Sequence, residues 1–425
     1  MSESKQEAGP LAKRVAKVKP SATLKIAAEA GRLKAQGVDV VSLAAGEPDF
    51  ETPDHIQEAL VQAMKAGRNR YTPTPGIPDL CAAISDKFKA DNGLNYSPGQ
   101  VIVGAGAKNI IYTAMQVLVN PGDEVVILAP YWVSYPDQTF LNDGRPVIIR
   151  TREADGFVVN PSILAKTVSR NTKLIVLNSP SNPTGAGYTK ADLARVAEIA
   201  VANDAWIISD EIYEKIIFDG FKHVSIASLS PEVAARTITV NGMSKSYAMT
   251  GWRLGYAAGP EEVIRAMNIV QSQNVSNAPS IVQWAGLAAL TGDQGCVTEM
   301  VRAFQERKDS VVGRLNAMEG IWCFEPQGAF YAFPRIAHYM GMQAGGTGGT
   351  EIKGSMELAK YLLDEARVSV VPGAAFGGDE YVRLSFATSM EQLTKGLDRI
   401  QEALGALTPG PHYAKLQEHL EQKRF

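Results

Sequence analysis

The sequence is poor in the residues that build a disulfide framework or a zinc site. It holds 3 cysteines in 425 residues (Cys81, Cys296 and Cys323), far apart and without a Cys-x-x-Cys pair, and 5 histidines without an HExxH run. That excludes a structural zinc site or a disulfide scaffold as the organising principle, and it fits a reducing compartment. An excess of charge of one sign is also missing. The 42 lysines and arginines stand against 45 aspartates and glutamates, a formal net charge of −3. A protein held to nucleic acid by phosphate contacts needs a basic excess, so nucleic acid is not an expected partner. Long apolar runs are lacking too, because the strongest, 110–119 and 281–290, are too short to span a bilayer. The opening segment, MSESKQEAGPLAKRVAKVKP, mixes acids and bases and has no apolar core of a secretory leader. A soluble cytoplasmic protein without a membrane partner is expected.

What is present is ordinary globular material, 45% hydrophobic and 20% charged, in a chain long enough for two large units. Short runs rich in valine and isoleucine, apolar on both faces, occur at 101–103, 125–129, 174–177, 205–209, 237–240 and 254–258. Helix-like stretches at 109–119, 190–202 and 261–267 lie between them. This alternation predicts an α/β fold with a mostly parallel, helix-covered sheet. Beyond about residue 300 the pattern changes. An amphipathic stretch over 294–318 leads to 328–333, a helix near 355–365 and a strand over 381–386, the grammar of a smaller α+β unit. The glycine- and threonine-rich run 343–354 reads as a surface loop, and 410–425 as a polar, helix-compatible extension.

Four segments carry chemistry. In VIVGAGAK (101–108) a strand, glycines and a helix start follow one another, which suits either a packing turn or a phosphate cup on free helix N–H groups. Asn109 at the third glycine position argues against a dinucleotide fingerprint. In AWIISDEIY (205–213), Asp210 ends a buried strand, where open α/β sheets bind ligands. It is either a helix N-cap or a desolvated carboxylate in need of a cation such as a protonated heterocycle nitrogen. Its neighbour Glu211 is expected to be solvated or capping. In TITVNGMSKSYAMTGWRLGY (237–256), Lys245 follows a buried strand and precedes Arg253. Such a lysine is either solvent-facing or an amine nucleophile. In YVRLSF (381–386), Val382, Leu384 and Phe386 share one face and Tyr381, Arg383 and Ser385 the other. An arginine there suits a structural ion pair or bidentate binding of a carboxylate.

Together with KPSAT (19–23), AGEPDF (45–50), RYTPTPGIPDL (70–80), PYWVSYP (130–136), NSPSNPTGA (178–186) and VRLSFATS (382–389), these segments form one constellation. Over nearly its whole length the chain resembles the fold-type I pyridoxal-phosphate aminotransferases of class I, specifically the bacterial-type aspartate aminotransferases. The resemblance implies a large cofactor-binding unit over 49–300 and a small unit over 301–425, with 1–48 an N-terminal arm and part of the small unit. It implies that pyridoxal 5'-phosphate forms a Schiff base with Lys245, whose amine then shuttles the substrate proton. Asp210 would keep the pyridine nitrogen protonated, Tyr213 and Asn182 would donate to the ring oxygen, and Trp132 would stack on the ring. Gly106, Ala107 and Lys108 would cup the phosphate with backbone N–H groups, joined by Ser244, Arg253 and Tyr71, the last from the neighbouring subunit of a homodimer.

For the substrate, the resemblance implies that Arg383 clamps the α-carboxylate with Asn182 and the Gly46 backbone. Animal-type aspartate enzymes bind the distal carboxylate with a second arginine, and 271–283 contains none. Lys108 fits the lysine that takes this role in bacterial-type members, with Lys19, Ser21 and Thr23 over the site. The implied partners are amino acids and 2-oxo acids: aspartate and 2-oxoglutarate exchange an amino group, and prephenate is a further acceptor in relatives with this pattern. Aromatic or broad aminotransferases and a carbon–sulfur β-lyase are alternatives on the same scaffold.

Overall fold

The fold is that of a computed structural model, which describes residues 11–18, 22–345, 349 and 351–422. In chain order, β1 (Val41–Ser42) is followed by β2 (Val101–Gly104), β3 (Glu124–Ala129), β4 (Arg145–Arg150), β5 (Thr172–Asn178), β6 (Trp206–Asp210), β7 (Thr237–Gly242) and β8 (Gly255–Ala258). Strands β2 to β8 form a 7-stranded sheet in the order β2-β8-β7-β6-β5-β3-β4. Only β8 runs against the others, pairing antiparallel with both β2 and β7. Side chains alternate across the sheet with the period of two that a strand imposes. Val125, Ile127, Leu174, Val176 and Ile208 pack toward the helices Ala107–Leu118 and Glu261–Asn274. Val126, Ile175, Leu177 and Ile207 pack toward the helix Lys190–Ala202. Most of these side chains are fully buried, each worth roughly 1.5–3 kcal/mol of transfer free energy.

The helices start where side chains supply the missing acceptors. Thr189 Oγ1 accepts from the Asp192 N–H, and Asp192 returns the bond to the Thr189 N–H at 2.9 Å, a capping box that opens the helix Lys190–Ala202. The helix Pro78–Asn92 opens on its proline and closes on Gly93 at φ +68°.

Among the later strands, those that bear on the site are β9 (Tyr331–Ala332), β10 (Val368–Ser369), β11 (Val371–Pro372) and β12 (Val382–Ser385). β12 lies between β9 and β11, antiparallel to both, while β1 pairs in parallel with β10. Residues 41–44 thus join the C-terminal part of the chain, and the Ser385 N–H donates to the Leu43 carbonyl at 2.7 Å. The helix Gly295–Asn316 spans 22 residues and packs against the helix Met390–Gly405.

Of the seven-stranded sheet, one strand escaped the sequence reading. β4 is a sheet edge with an arginine at each end and Ile148 41% exposed, so it lacks the uniformly apolar run by which the inner strands are recognised. The extension folds as the helix Tyr413–Gln422, whose Gln417 side-chain amide donates to the carbonyls of Ala337, His338 and Met340. Gln343 bridges to Glu351 across the glycine-rich run, of which 346–348 and 350 lie outside the described residues. No described helix is long and apolar enough to cross a membrane.

Candidate active site

The parallel strands end at one edge of the sheet, and the loops leaving that edge bring the candidate residues together. Gly106 and Lys108 follow β2, Trp132 follows β3, Asn182 follows β5, Asp210 ends β6, and Ser244 and Lys245 follow β7. Arg253 stands just before the reversed β8, so it enters from the same edge.

Asp210 takes the same sheet face as Ile208, two residues earlier, and points toward the helix Ala107–Leu118. It is 5% exposed. Its Oδ2 accepts from the Tyr135 hydroxyl at 2.6 Å and its Oδ1 from the Ile212 N–H at 3.3 Å. Among the described residues no ion pair reaches it, and burial pushes its carboxyl up to about 6 despite both donors. This group is not a plain N-cap; it is a desolvated carboxylate with room for a cation. On the adjacent strand end, the Lys245 ammonium donates to the Gly46 carbonyl. Burial, reinforced by Arg383 and Arg253, brings its pKa down to about 8. A lysine so placed has a substantial neutral, nucleophilic fraction near neutrality.

Arg383 is 2% exposed in the middle of β12. Its Nη1 donates to Asn182 Oδ1 at 3.1 Å and its Nη2 to the Ala44 carbonyl at 2.9 Å, while its buried Nε has no partner. No carboxylate neutralises it among the described residues, so the structural ion pair considered from sequence is absent. An uncompensated guanidinium with an unused donor is a receptor for an anion. The Tyr213 and Tyr331 hydroxyls meet at 2.8 Å.

The helix Ala107–Leu118 starts with Gly106 as its N-cap at φ +88°. A Cβ on Gly106 would lie 2.5 Å from Arg253 Nη2, and one on Gly255 would lie 2.2 Å from the Ala107 nitrogen. Guanidinium and helix start therefore crowd together in a region of positive character, and Ser244, 7% exposed, follows β7 at the same sheet edge. One expectation is corrected here. The Gly106 N–H is already donated to the Gly104 carbonyl at 2.8 Å, so the free donors are those of Ala107 and Lys108, which open the helix. Gly106 supplies the left-handed turn. Lys108 Nζ lies 4.9 Å from the centre of the half-buried Trp132 ring, and burial with Arg253 nearby lowers its pKa.

Four other candidates are not seen at this edge among the described residues of one chain. Tyr71 is 88% exposed on a projecting loop. Lys19 and Ser21 lie outside the described residues, as does the side chain of Thr23. Glu211 is a correction: at 1% exposed it is neither solvated nor capping. Its carboxylate accepts from Ser209 at 2.7 Å and Ser225 at 2.8 Å, with His223 Nε2 at 3.0 Å. Two tyrosines of the site, Tyr135 and Tyr331, were not singled out from sequence. The Trp132-x-x-Tyr135 spacing, one helical turn, was the available signal for the first.

A family model described as aminotransferase class I and II matches residues 38–400. The chain belongs to that family. The aspartate aminotransferase of Geobacillus stearothermophilus is 47% identical over 396 residues, covering 93% of this chain and 99% of the relative. The aspartate/prephenate aminotransferase of Cereibacter sphaeroides is also 47% identical, over 395 residues, covering 93% and 98%. Among solved structures, the aspartate aminotransferase of Rhizobium meliloti superposes with a TM-score of 0.90 at 43% identity, covering 94% of this chain and all of that one. The Thermus thermophilus enzyme with maleate does so with a TM-score of 0.86 at 41% identity, covering 92% and 99%.

This is therefore an aminotransferase of fold type I, and such enzymes work with pyridoxal 5'-phosphate. The residues present fit that group. A buried carboxylate without a cation suits a protonated ring nitrogen, a lysine with a depressed pKa suits the aldehyde, and the helix start beside Arg253 suits the phosphate.

Proposed function

We propose that this aminotransferase moves the amino group of L-aspartate to 2-oxoglutarate, giving oxaloacetate and L-glutamate by a ping-pong sequence. One observation carries the reading. The Lys245 amine and the Asp210 carboxylate, both shifted toward neutrality, stand on adjacent strand ends beside the anion-hungry Arg383, in a chain 47% identical to an aspartate aminotransferase.

Pyridoxal phosphate supplies an aldehyde that carries the amino group and a cationic ring that accepts the electrons left at Cα. The protein's residues do the rest. Asp210, held by Tyr135, keeps a proton on the ring nitrogen. Tyr213 and Asn182 would donate to the ring oxygen, Trp132 would pack against the ring, and Ala107, Lys108, Ser244 and Arg253 would hold the phosphate. Arg383 takes the α-carboxylate with its unused edge. The Lys245 amine removes the Cα proton and returns it on the far side of the transfer. Lys108, on its aromatic platform, takes the distal carboxylate. The maleate in the Thermus thermophilus structure is a dicarboxylate of similar span. Tyr71 reaches the phosphate of the neighbouring subunit, so the working form is a homodimer. The chain divides into a large unit over 49–300 and a small unit over 301–425 that recruits part of 1–48, as the β1–β10 pairing suggests.

The test is an absorption spectrum of the holoenzyme, read after aspartate and again after 2-oxoglutarate. The cofactor band should disappear with the first and return with the second, and Lys245→Ala should abolish the cycle. Release of pyruvate and ammonia from a sulfur amino acid, with no response to aspartate, would replace this reading with a β-lyase. Prephenate is a second acceptor, favoured by the Cereibacter sphaeroides relative that is named for it; its failure to restore the band would restrict the enzyme to 2-oxoglutarate.

A further inference from the structure

We propose that Tyr331 is a positioning residue that couples the substrate-carboxylate clamp at Arg383 to the phenol of Tyr213 and directs the Tyr213 proton toward the cofactor. The proposal rests on the roles just given to Arg383 and Tyr213. Its basis is the register of the small sheet. β9 pairs with β12 so that Tyr331 stands opposite Ser385, which makes Arg383 its diagonal neighbour on the same face. The guanidinium carbon lies 4.4 Å from the centre of the Tyr331 ring. Stacking of this kind holds the guanidinium plane while leaving its N–H edge free for a carboxylate.

The same residue reaches in the other direction. Its hydroxyl lies 2.8 Å from that of Tyr213, and a Cβ on Gly46, whose carbonyl accepts from Lys245, would be 3.5 Å from it. With Tyr331 1% exposed, the contact lies out of reach of bulk solvent. The charged groups facing the two phenols are Arg383, Asp210, Lys245 and Glu47. Both phenols remain protonated, because burial raises their pKa values. In a pair of phenols one donates and the other accepts. A Tyr213 that must donate to the ring oxygen can only accept from Tyr331, so the chain of donors runs from Tyr331 through Tyr213 to the cofactor.

Two variants of the holoenzyme separate the two jobs. Tyr331→Phe keeps the ring and removes the hydroxyl. Tyr213 then becomes a weaker donor, the ring oxygen retains a neighbouring proton to higher pH, and the midpoint of the absorption change on titration should rise by roughly half a unit. Affinity for maleate, an unreactive dicarboxylate, should stay within about twofold in that variant, because the platform remains. Tyr331→Leu removes the platform and should weaken maleate binding about tenfold. An unmoved midpoint in Tyr331→Phe overturns the proposal, even if thermal stability falls, because a merely structural tyrosine affects stability alone. Unchanged maleate affinity in a folded Tyr331→Leu protein overturns the clamp half. Should the parent protein show no absorption response to aspartate, the proposed function itself fails and takes this inference with it.

Discussion

The pKa of Lys245 is about 8, against an ordinary 10.5, because the fold strips water from it. Between those two values the unfolded chain binds the proton that the folded chain releases, so this site's contribution to stability rises with pH across that window. The apoprotein carrying Lys245→Met has no such charge. It should be more stable than the parent below pH 8, with the gap closing as pH approaches 10.5; urea midpoints of the two proteins across that range are the check. Arg383 invites a different substitution. A lysine cannot reproduce its planar fork, so Arg383→Lys should raise the KM for aspartate by about 10–100-fold; a fall in kcat at unchanged KM would contradict the clamp. Asp210, Lys245 and Arg383 were legible because each departs from what its strand or strand end otherwise contains. Tyr135, Tyr331 and the burial of Glu211 were not. Their partners come from distant segments, as with Ser225, 14 residues from Glu211, or Tyr331, 118 from Tyr213. Periodicity carries no information about such approaches.

For the elements, β2, β3, β5 and β6 announced themselves through buried valine and isoleucine on both faces, and the partly exposed edge strand β4 did not. The glycine-rich start after β2 read equally as packing or as a phosphate cup; the structure shows the packing, and the proposed function assigns the same turn to the phosphate. Gly255 on β8 presses its backbone against Ala107, the first residue of the helix that forms the cup. Gly255→Ala therefore forces a Cβ to within 2.2 Å of the Ala107 nitrogen. The expected cost is about 1–3 kcal/mol of stability, together with weaker cofactor binding, because the displaced helix start carries the phosphate donors. Equilibrium unfolding and a cofactor Kd measure the two effects; an unaltered Kd in a destabilised protein would detach the helix start from phosphate binding.

The whole molecule raises the question of Tyr71, an aromatic side chain left 88% exposed in a chain that otherwise buries its aromatic clusters. If it serves the neighbouring subunit, a Lys245→Ala protomer paired with a Tyr71→Ala protomer contains one intact site. Random reassociation of equal amounts of the two variants should then restore about a quarter of the parent activity from two nearly silent preparations. Additive residual rates would mean that Tyr71 serves its own subunit and not its neighbour. Nothing in the periodicity of 70–80 could show this, because a contact with another copy of the chain leaves no periodic trace.

The pairing of β1 with β10 joins residues near the start of the chain to residues near its end, and Arg383 reaches the Ala44 carbonyl across 339 positions. Synthesis therefore delivers Asp210 and Lys245 long before the residue proposed to grip the substrate exists. A polypeptide that stops between Lys245 and Arg383 carries the proposed amine and ring-nitrogen carboxylate and lacks the proposed handle for substrate.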